Sequence, residues 1–506
     1  MYAESKVTEP SRLSPDTSGP ARAAWWFVYA LLALAVWQFW VAPLSSSFWT
    51  DEFYTVWAIR DGLGQMFTRL REWPTISPFY GLIEWLVYRP GGAREYILRL
   101  PSLVAICFAA ILLYRLARRL FDNASALAAA VVFVCAQPVV FAGADARPYA
   151  LLLLVIAGST LALVRWLESA SARDAAVYVI TAALIPHLHY LASPVLGIHA
   201  LYAYARYREG SPVRIRALLF AGVAIVILLL PLAPFYQSAL HNRKALSWMP
   251  RPLFFDLAET LLPPVLMFAI AAGLAVAWLF GRWRRADAFS VRISPAGLKH
   301  STIVLVAALA ICPVFLAFAV ARVTNASIFV PRYMIASQVG IALAAGWAIG
   351  RIRPSVARAM IAASILVFSL EAFGSIAQRR PLHGGENWRS AVADIRKIAG
   401  NTQMPVFAQT GTLEARSLNL NFESNLPSYV SGPFLVYPGA GRIIFIPPPN
   451  IERGRQFLET TVVPIAEASD RFLLLTRNDD FSSDILQAKL PDYTAHPVDD
   501  FGRVGL

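Results

Sequence analysis

Two adjacent carboxylates, Asp51 and Glu52, stand in the run SSSFWTDEFYT from Ser45 to Thr55, hemmed in by Phe48, Trp49, Phe53 and Tyr54. The run follows directly on an apolar stretch, Ala24 to Pro43, long enough to cross a bilayer. A carboxylate pair at the mouth of a membrane span suits general-base work on a substrate that approaches from the lipid. A solvated loop start with interfacial aromatics is the structural alternative. A second group, Asp145, Arg147 and Tyr149 in GADARPYALLL, lies at another span end. Charges there are costly unless paired or wet, so they mark a candidate site, with an Asp145–Arg147 pair sealing the helix end as the alternative.

His187, His189 and Tyr190 form the run HLHY. Two histidines two residues apart suit a broken segment better than one face of a helix. They fix no third ligand by spacing, so alone they are a weak metal signal. Hydrogen bonding to a sugar or phosphate and a satisfied buried histidine both remain open. Arg243, Lys244 and Arg251 stand in one loop, and Arg322 and Arg332 flank the run leading into FVPRYMI, where Tyr333 follows Arg332. A phosphate at the membrane face explains cations placed there, since arginine binds it bidentately and stays charged. Lipid head-group contact is the competing reading.

These residues must be held by membrane helices. The chain has 506 residues, of which 57% are hydrophobic and 15% charged. Hydropathy and length predict about eleven spans, near 24–43, 97–116, 123–142, 147–166, 174–187, 189–206, 215–235, 256–280, 301–321, 333–350 and 357–376. The net charge of +13 sits mostly between apolar runs. That is the pattern of cytoplasmic loops and not of a nucleic-acid binder. Placing the Arg-rich loops inside puts the N-terminus in the cytoplasm. Asp51, Glu52 and Asp145 then fall on the outer side, as does everything after residue 377. Residues 1–23 are Pro/Ser-rich and are expected to be disordered. The three cysteines, Cys107, Cys135 and Cys312, all fall in apolar runs and offer neither a disulfide framework nor a metal motif.

The first outer loop, 44–96, contains an apolar-aromatic stretch, Trp73 to Tyr88, too short to span and read as a helix on the membrane surface. Beyond residue 377 helix and strand signals alternate. Asn387 can cap a helix carrying Trp388, Val392, Ile395 and Ile398 that stops at Gly400. Strand-like runs follow at 406–409, 442–447 and 471–476. A small outer α/β domain over 377–506 is expected. No Walker A, GxGxxG or GxSxG motif occurs in a suitable context, which disfavours nucleotide-powered and serine-hydrolase chemistry.

With these motifs in order, the chain resembles the GT-C superfold of polyprenyl-phosphate-sugar-dependent glycosyltransferases. Within it, the chain is similar to the RgtA/B/C/D-like and aminoarabinose-transferase/protein-mannosyltransferase-like branch. The resemblance rests on Asp51-Glu52, Arg99 with Pro101-Ser102 in LRLPS, Asp145 to Tyr149, HLHY, Arg332-Tyr333, and Glu386-Asn387-Trp388-Arg389. The family's His-Pro-Pro-aromatic run is replaced by Trp73 to Tyr80, and Asp145 stands where glutamate is more usual. The resemblance implies a GT-C membrane domain over 24–376 in a bacterial inner membrane. It also implies inverting transfer of a sugar from a polyprenyl-phosphate carrier to a glycan, lipid or protein acceptor on the outer face. It favours Asp51 as base, with Glu52 and Asp145 as the other candidates, and Arg332, Arg147, Arg243 and Lys244 on the donor phosphate. Tyr149, His187, His189, Tyr190 and Tyr333 would contact substrate. The sequence requires no cofactor, and a divalent metal has no support in it. A polyprenyl-glycolipid transporter, or a membrane assembly protein acting through its C-terminal domain, are the rival classes.

Overall fold

The computed structural model describes residues 19–72, 76–241, 251–283, 292–293, 297–324, 328–373, 383–409, 432–446, 452–477, 480–499 and 501–506. Arg243 and Lys244 lie outside these residues, as do Trp73 to Thr75 and residues 1–18. The opening helix α1 runs Gly19–Val36 and continues as a π turn and a 3-10 turn to Ser45. It therefore starts inside the stretch expected to be disordered, because Pro20 suits a helix start and Ala21, Ala23 and Ala24 are strong helix formers.

Three short helices follow, α2 (Thr50–Ile59), α3 (Leu63–Glu72) and α4 (Pro78–Gly91). Ser77 starts α4 by accepting from the Tyr80 N–H at 3.2 Å, and α4 buries Tyr80, Gly81 and Glu84. The surface helix expected from the sequence is thus packed along one face.

The bundle proper comprises α5 (Glu95–Leu120), α6 (Asn123–Cys135), α7 (Gln137–Ala142), α8 (Tyr149–Ser169), α9 (Ala172–Leu188) and α10 (Pro194–Arg208). It continues with α11 (Ile215–Leu229), α12 (Ala233–His241), α13 (Phe254–Leu261), α14 (Pro264–Trp283), α15 (His300–Val323), α16 (Ser337–Gly350) and α17 (Ser355–Phe373). Seven helical segments among the described residues are long and apolar enough to cross a membrane. They coincide with seven of the eleven expected spans.

The other four expected spans, 123–142, 174–187, 189–206 and 333–350, contain helices of 13, 17, 15 and 14 residues. The first of these breaks where Ala136 turns extended ahead of Gln137 and Pro138. Two of the four lie deep inside the bundle. Helix α6 is buried over most of its length, and α16 presses glycines onto its neighbours. A Cβ on Gly346 would stand 2.5 Å from the Ala129 Cβ, and one on Gly340 would stand 2.1 Å from the Ala310 nitrogen. Small residues of this kind let membrane helices approach closely. An internal helix need not match the lipid thickness, so helices of this length are compatible with a place inside the bundle.

The C-terminal residues form a four-stranded sheet from β3 (Pro405–Ala408), β4 (Arg442–Phe445), β5 (Leu473–Arg477) and β6 (Val504–Gly505); the pair β1 (Arg292–Ile293) and β2 (Ile352–Arg353) lies apart from it. The order is β4-β3-β5-β6, with β3 parallel to both neighbours and β6 antiparallel at the edge. Helix α18 (Trp388–Ala399) starts where the Asn387 side chain accepts from the Ser390 N–H at 3.3 Å and ends at Gly400, whose φ is +55°. It buries Trp388, Val392 and Ile395 in the same apolar core as Phe48, Phe53 and Trp57 of the membrane unit.

A candidate active site around helix α2

Helix α2 begins with a fold-back cap. Trp49 is extended, and the Glu52 Oε2 accepts its backbone N–H at 3.1 Å. Side chains one residue apart on a helix point in directions about 100° apart, so the two carboxylates part company at once.

Glu52 turns inward and is fully buried. Its two oxygens take Arg99, with Nε donating to Oε1 at 2.7 Å and Nη2 to Oε2 at 2.5 Å. Oε1 also accepts from the Ala146 N–H at 2.8 Å. Arg99 spends its remaining donors on the carbonyls of Pro43, Leu44, Ser46 and Ser47 and lies over the Phe48 ring. The pair is thus the pin that fixes the loop before α2 to helix α5. Ser102, three residues on from Arg99 and on the same face, donates to the Asp145 carbonyl at 2.6 Å. The LRLPS run therefore holds both acidic loops.

Asp51 turns the other way. Its carboxylate meets Arg332 at 3.3 Å, and its side chain keeps 14% of its surface exposed beside 23% for Arg332. Arg332 also lies over the rings of Trp49 and Tyr333. Arg147 donates to the Asp51 carbonyl at 3.4 Å. His189 sits between Tyr149 and Tyr333, with ring centroids 5.6 Å from each. It can do so because α9 ends at Leu188 and His189 is extended, the break that the HLHY spacing suggested. Asp51, Arg147, Tyr149, His189, Arg332 and Tyr333, drawn from four places in the chain, are thus linked into one cluster.

Other expected residues go elsewhere. His187 bonds the Leu228 carbonyl at 2.9 Å and stands edge-on to Phe79. Tyr190 packs on Tyr236. Arg322 lies over Phe254 and donates to the Pro252 carbonyl at 3.5 Å.

Asp145 is fully buried beside the cluster. Its Oδ1 accepts from the Trp49 indole N–H at 3.0 Å and lies 3.4 Å from His383 Nε2, while Oδ2 has no hydrogen-bond partner among the described residues. Burial raises the Asp145 pKa to about 7, against the lowering effect of Trp49 and Arg147. Burial likewise lowers His383 to about 3, so the contact is that of a neutral imidazole and not an ion pair. A second buried acid, Glu84, accepts from Tyr80 at 2.6 Å and is raised to about 8, again chiefly by burial. Glu52, Asp145 and His383 each bring one ligand-type atom within 4.8 Å of the others. Glu52 already serves Arg99 and two backbone N–H groups, which leaves Asp145 and His383 as the atoms with capacity for a cation.

Sequence reasoning missed what the C-terminal residues do here. Tyr437 accepts from the Phe48 N–H at 3.0 Å and donates to Glu95 at 2.7 Å. Arg389 donates to the Ser45 carbonyl at 2.7 Å, and its backbone N–H reaches Ser47 at 3.1 Å. His383 N–H reaches Ser46 at 3.2 Å. The Glu386 carboxylate reaches Thr50, the first residue of α2, at 2.8 Å. The EN-W-R run was the available signal, but nothing local in it shows which loop it would hold.

Comparisons with known proteins bear on the fold. Residues 75–236 match the family model described as dolichyl-phosphate-mannose-protein mannosyltransferase. No curated protein matches the sequence. Among solved structures, ArnT from Cupriavidus metallidurans bound to undecaprenyl phosphate aligns over 96% of this chain and 98% of that one, at 12% identity and a TM-score of 0.51. The same protein in its apo state gives 0.49 over the same shares, also at 12% identity. The oligosaccharyltransferase of Archaeoglobus fulgidus, tethered with an acceptor peptide, aligns over 76% of this chain and 62% of that one, at 15% identity and 0.43. The full-length alignment at 0.51 carries the fold, and the mannosyltransferase match falls on α4 to α12, the stretch that supplies Arg99, Asp145 and Arg147. This chain is a multi-pass helical membrane protein with the GT-C glycosyltransferase fold, similar to ArnT and to the protein mannosyltransferases.

Proposed function

We propose that the protein transfers a sugar from a polyprenyl-phosphate carrier to an acceptor hydroxyl or amine on a glycan, lipid or protein at the outer face of the membrane. The observation that carries this reading is Asp51. It is a part-exposed carboxylate beside Arg332, with Arg147 on its backbone, next to two carboxylates, Glu52 and Asp145, that are fully buried. A sugar phosphate already has a good leaving group. The enzyme's work is to remove a proton from the attacking atom and to hold the phosphate. Asp51 takes that proton as the acceptor atom bonds to the anomeric carbon. The bond from that carbon to the phosphate oxygen breaks with inversion, and the electron pair leaves on the polyprenyl phosphate. Arg332 and Arg147 stabilise the developing phosphate charge, and Arg332 can exchange the Asp51 carboxylate for the donor. Tyr149, His189 and Tyr333 offer ring faces to the sugar. The undecaprenyl phosphate bound to ArnT supports a carrier of this class.

The outer face follows from the basic loops and is tested by a reporter fused after residue 377, which should be active only outside the cytoplasm. The chemistry is tested with the purified protein in liposomes and a radiolabelled polyprenyl-phosphate sugar. Release of polyprenyl phosphate with sugar gained by an acceptor extract supports transfer. Movement of intact donor between leaflets with no transfer would favour the transporter instead. Mass spectrometry of lipids and glycans from a deletion strain names the sugar and the acceptor.

A further inference from the structure

Glu386 opens the C-terminal unit, yet two of the four hydrogen bonds to its carboxylate come from the membrane unit. It is fully buried. Its Oε2 accepts from the Thr50 N–H at 2.8 Å, from the Thr50 hydroxyl at 2.8 Å and from the Trp388 indole at 2.6 Å. Its Oε1 accepts from Arg477 Nε at 2.7 Å, so a cation of strand β5 balances the charge. Thr50 is the first residue of α2 and Asp51 is the second. The first N–H groups of a helix have no partner within it, and an anion there also meets the positive end of the helix dipole.

Glu52 fixes the cap residue Trp49 from one side, and Glu386 fixes Thr50 from the other. The backbone direction of this one turn decides where the Asp51 carboxylate points relative to Arg332. We propose that Glu386 is a positioning residue for Asp51, and that the C-terminal unit serves turnover by delivering it. The proposal rests on the glycosyl-transfer reading above. It makes the C-terminal unit a part of the catalytic geometry, where a docking role would ask only that the two units stay together.

The test uses the full-length protein with Glu386→Gln, Asp51→Asn and the double variant, read by transfer kinetics and by amide hydrogen exchange over residues 45–60. Glu386→Gln should lower kcat by about tenfold to a hundredfold, the scale of a small misplacement of a reacting group. Donor KM should not move, and exchange should quicken in the first turn of α2 but not in the distant spans. In the Asp51→Asn background, Glu386→Gln should cost nothing further, because it acts through a base that is no longer there. A full additional loss in that background, or unchanged kcat and exchange in the single variant, overturns the proposal. Should Glu386→Gln fail to fold, Thr50→Ser and Thr50→Val replace it. The serine keeps both donors and should stay native in kcat, while the valine loses the hydroxyl and should fall several-fold; equal kcat in the two overturns the anchor. A wild-type protein that transfers no sugar sinks the functional reading and the catalytic half of this one, whereas exchange still reports on the anchor by itself.

Discussion

On the inner side of helix α2, Glu52 lies in a dry pocket with Arg99, where two backbone N–H groups complete its hydrogen bonding. On the other side, one residue earlier, Asp51 faces Arg332 across 3.3 Å and keeps some of its surface open. The same functional group is frozen in one place and kept available in the other. The difference teaches what a buried ion pair is good for here. Arg99 bonds four carbonyls around Ser45 as well as Glu52, so the pair organises the loop that presents Asp51. Pairs of this kind often add little net stability against an apolar replacement but fail badly when one partner is removed.

The comparison breaks first at Asp51. Asp51→Asn keeps the shape and removes the proton acceptor. Turnover in a single-turnover transfer assay should fall by about 10²–10⁴-fold, the usual range for a positioned base. Donor binding should survive, since the proposed phosphate contacts are to Arg332 and Arg147 and not to Asp51. Native turnover in Asp51→Asn would move the base elsewhere, with Asp145 next in line.

Glu52→Gln should fail differently. It leaves the Arg99 guanidinium buried without its counter-charge, at a cost of about 3–5 kcal/mol of stability. The measurement is thermal unfolding and the monodisperse fraction in detergent. A Glu52→Gln protein that is as stable as wild type yet inactive would reverse the roles assigned to the two carboxylates.

This contrast was half legible in the chain. Asp51, Asp145, Arg147 and Arg332 are visible because polar and charged residues at span ends need a reason, and the structure links them through Trp49, Tyr333 and the Asp51 backbone. The seven lipid-length helices are visible because their apolar length is set by the bilayer. The fate of Glu52 depends on α5 lying against the loop before α2, a contact between residues 47 positions apart that no local pattern encodes. The same holds for His383, Glu386 and Tyr437, whose partners lie more than 300 residues away and are met only where the C-terminal residues pack on the bundle. Helices α6 and α16 are apolar on all sides, and hydropathy does not tell which of their neighbours they pack on; their glycine and alanine contacts do.

A smaller effect sharpens the open side. On the role proposed for Arg332, Arg332→Ala removes a charge-assisted contact to the donor phosphate and should weaken donor use by about 1.5–3 kcal/mol. The effect belongs in the apparent donor affinity and should spare acceptor KM. Unchanged donor affinity would leave Arg332 as a partner of Asp51 only.

Asp145 lies between the two sides, and the smallest expected effect concerns its proton. Its pKa is raised to about 7 by burial, whereas an exposed aspartate titrates near 3.8. Between those values the folded protein holds a proton that the unfolded chain has lost. The stability it contributes is therefore fully present below about pH 4 and is lost as pH rises through about 7. Across the single step from pH 6 to 7 the loss amounts to about 1 kcal/mol. Asp145→Asn cannot ionise and should lose this slope while keeping an acceptor for the Trp49 indole. Unfolding midpoints of the two proteins should therefore keep a fixed offset below about pH 4 and separate, in favour of the asparagine variant, as pH rises from about 4 to 7. Parallel midpoints over that range would mean that Asp145 is already ionised in the folded protein. It would then stand with Asp51 as a second charged carboxylate on the open side, and its unpartnered oxygen would become a place for a cation or an acceptor hydroxyl.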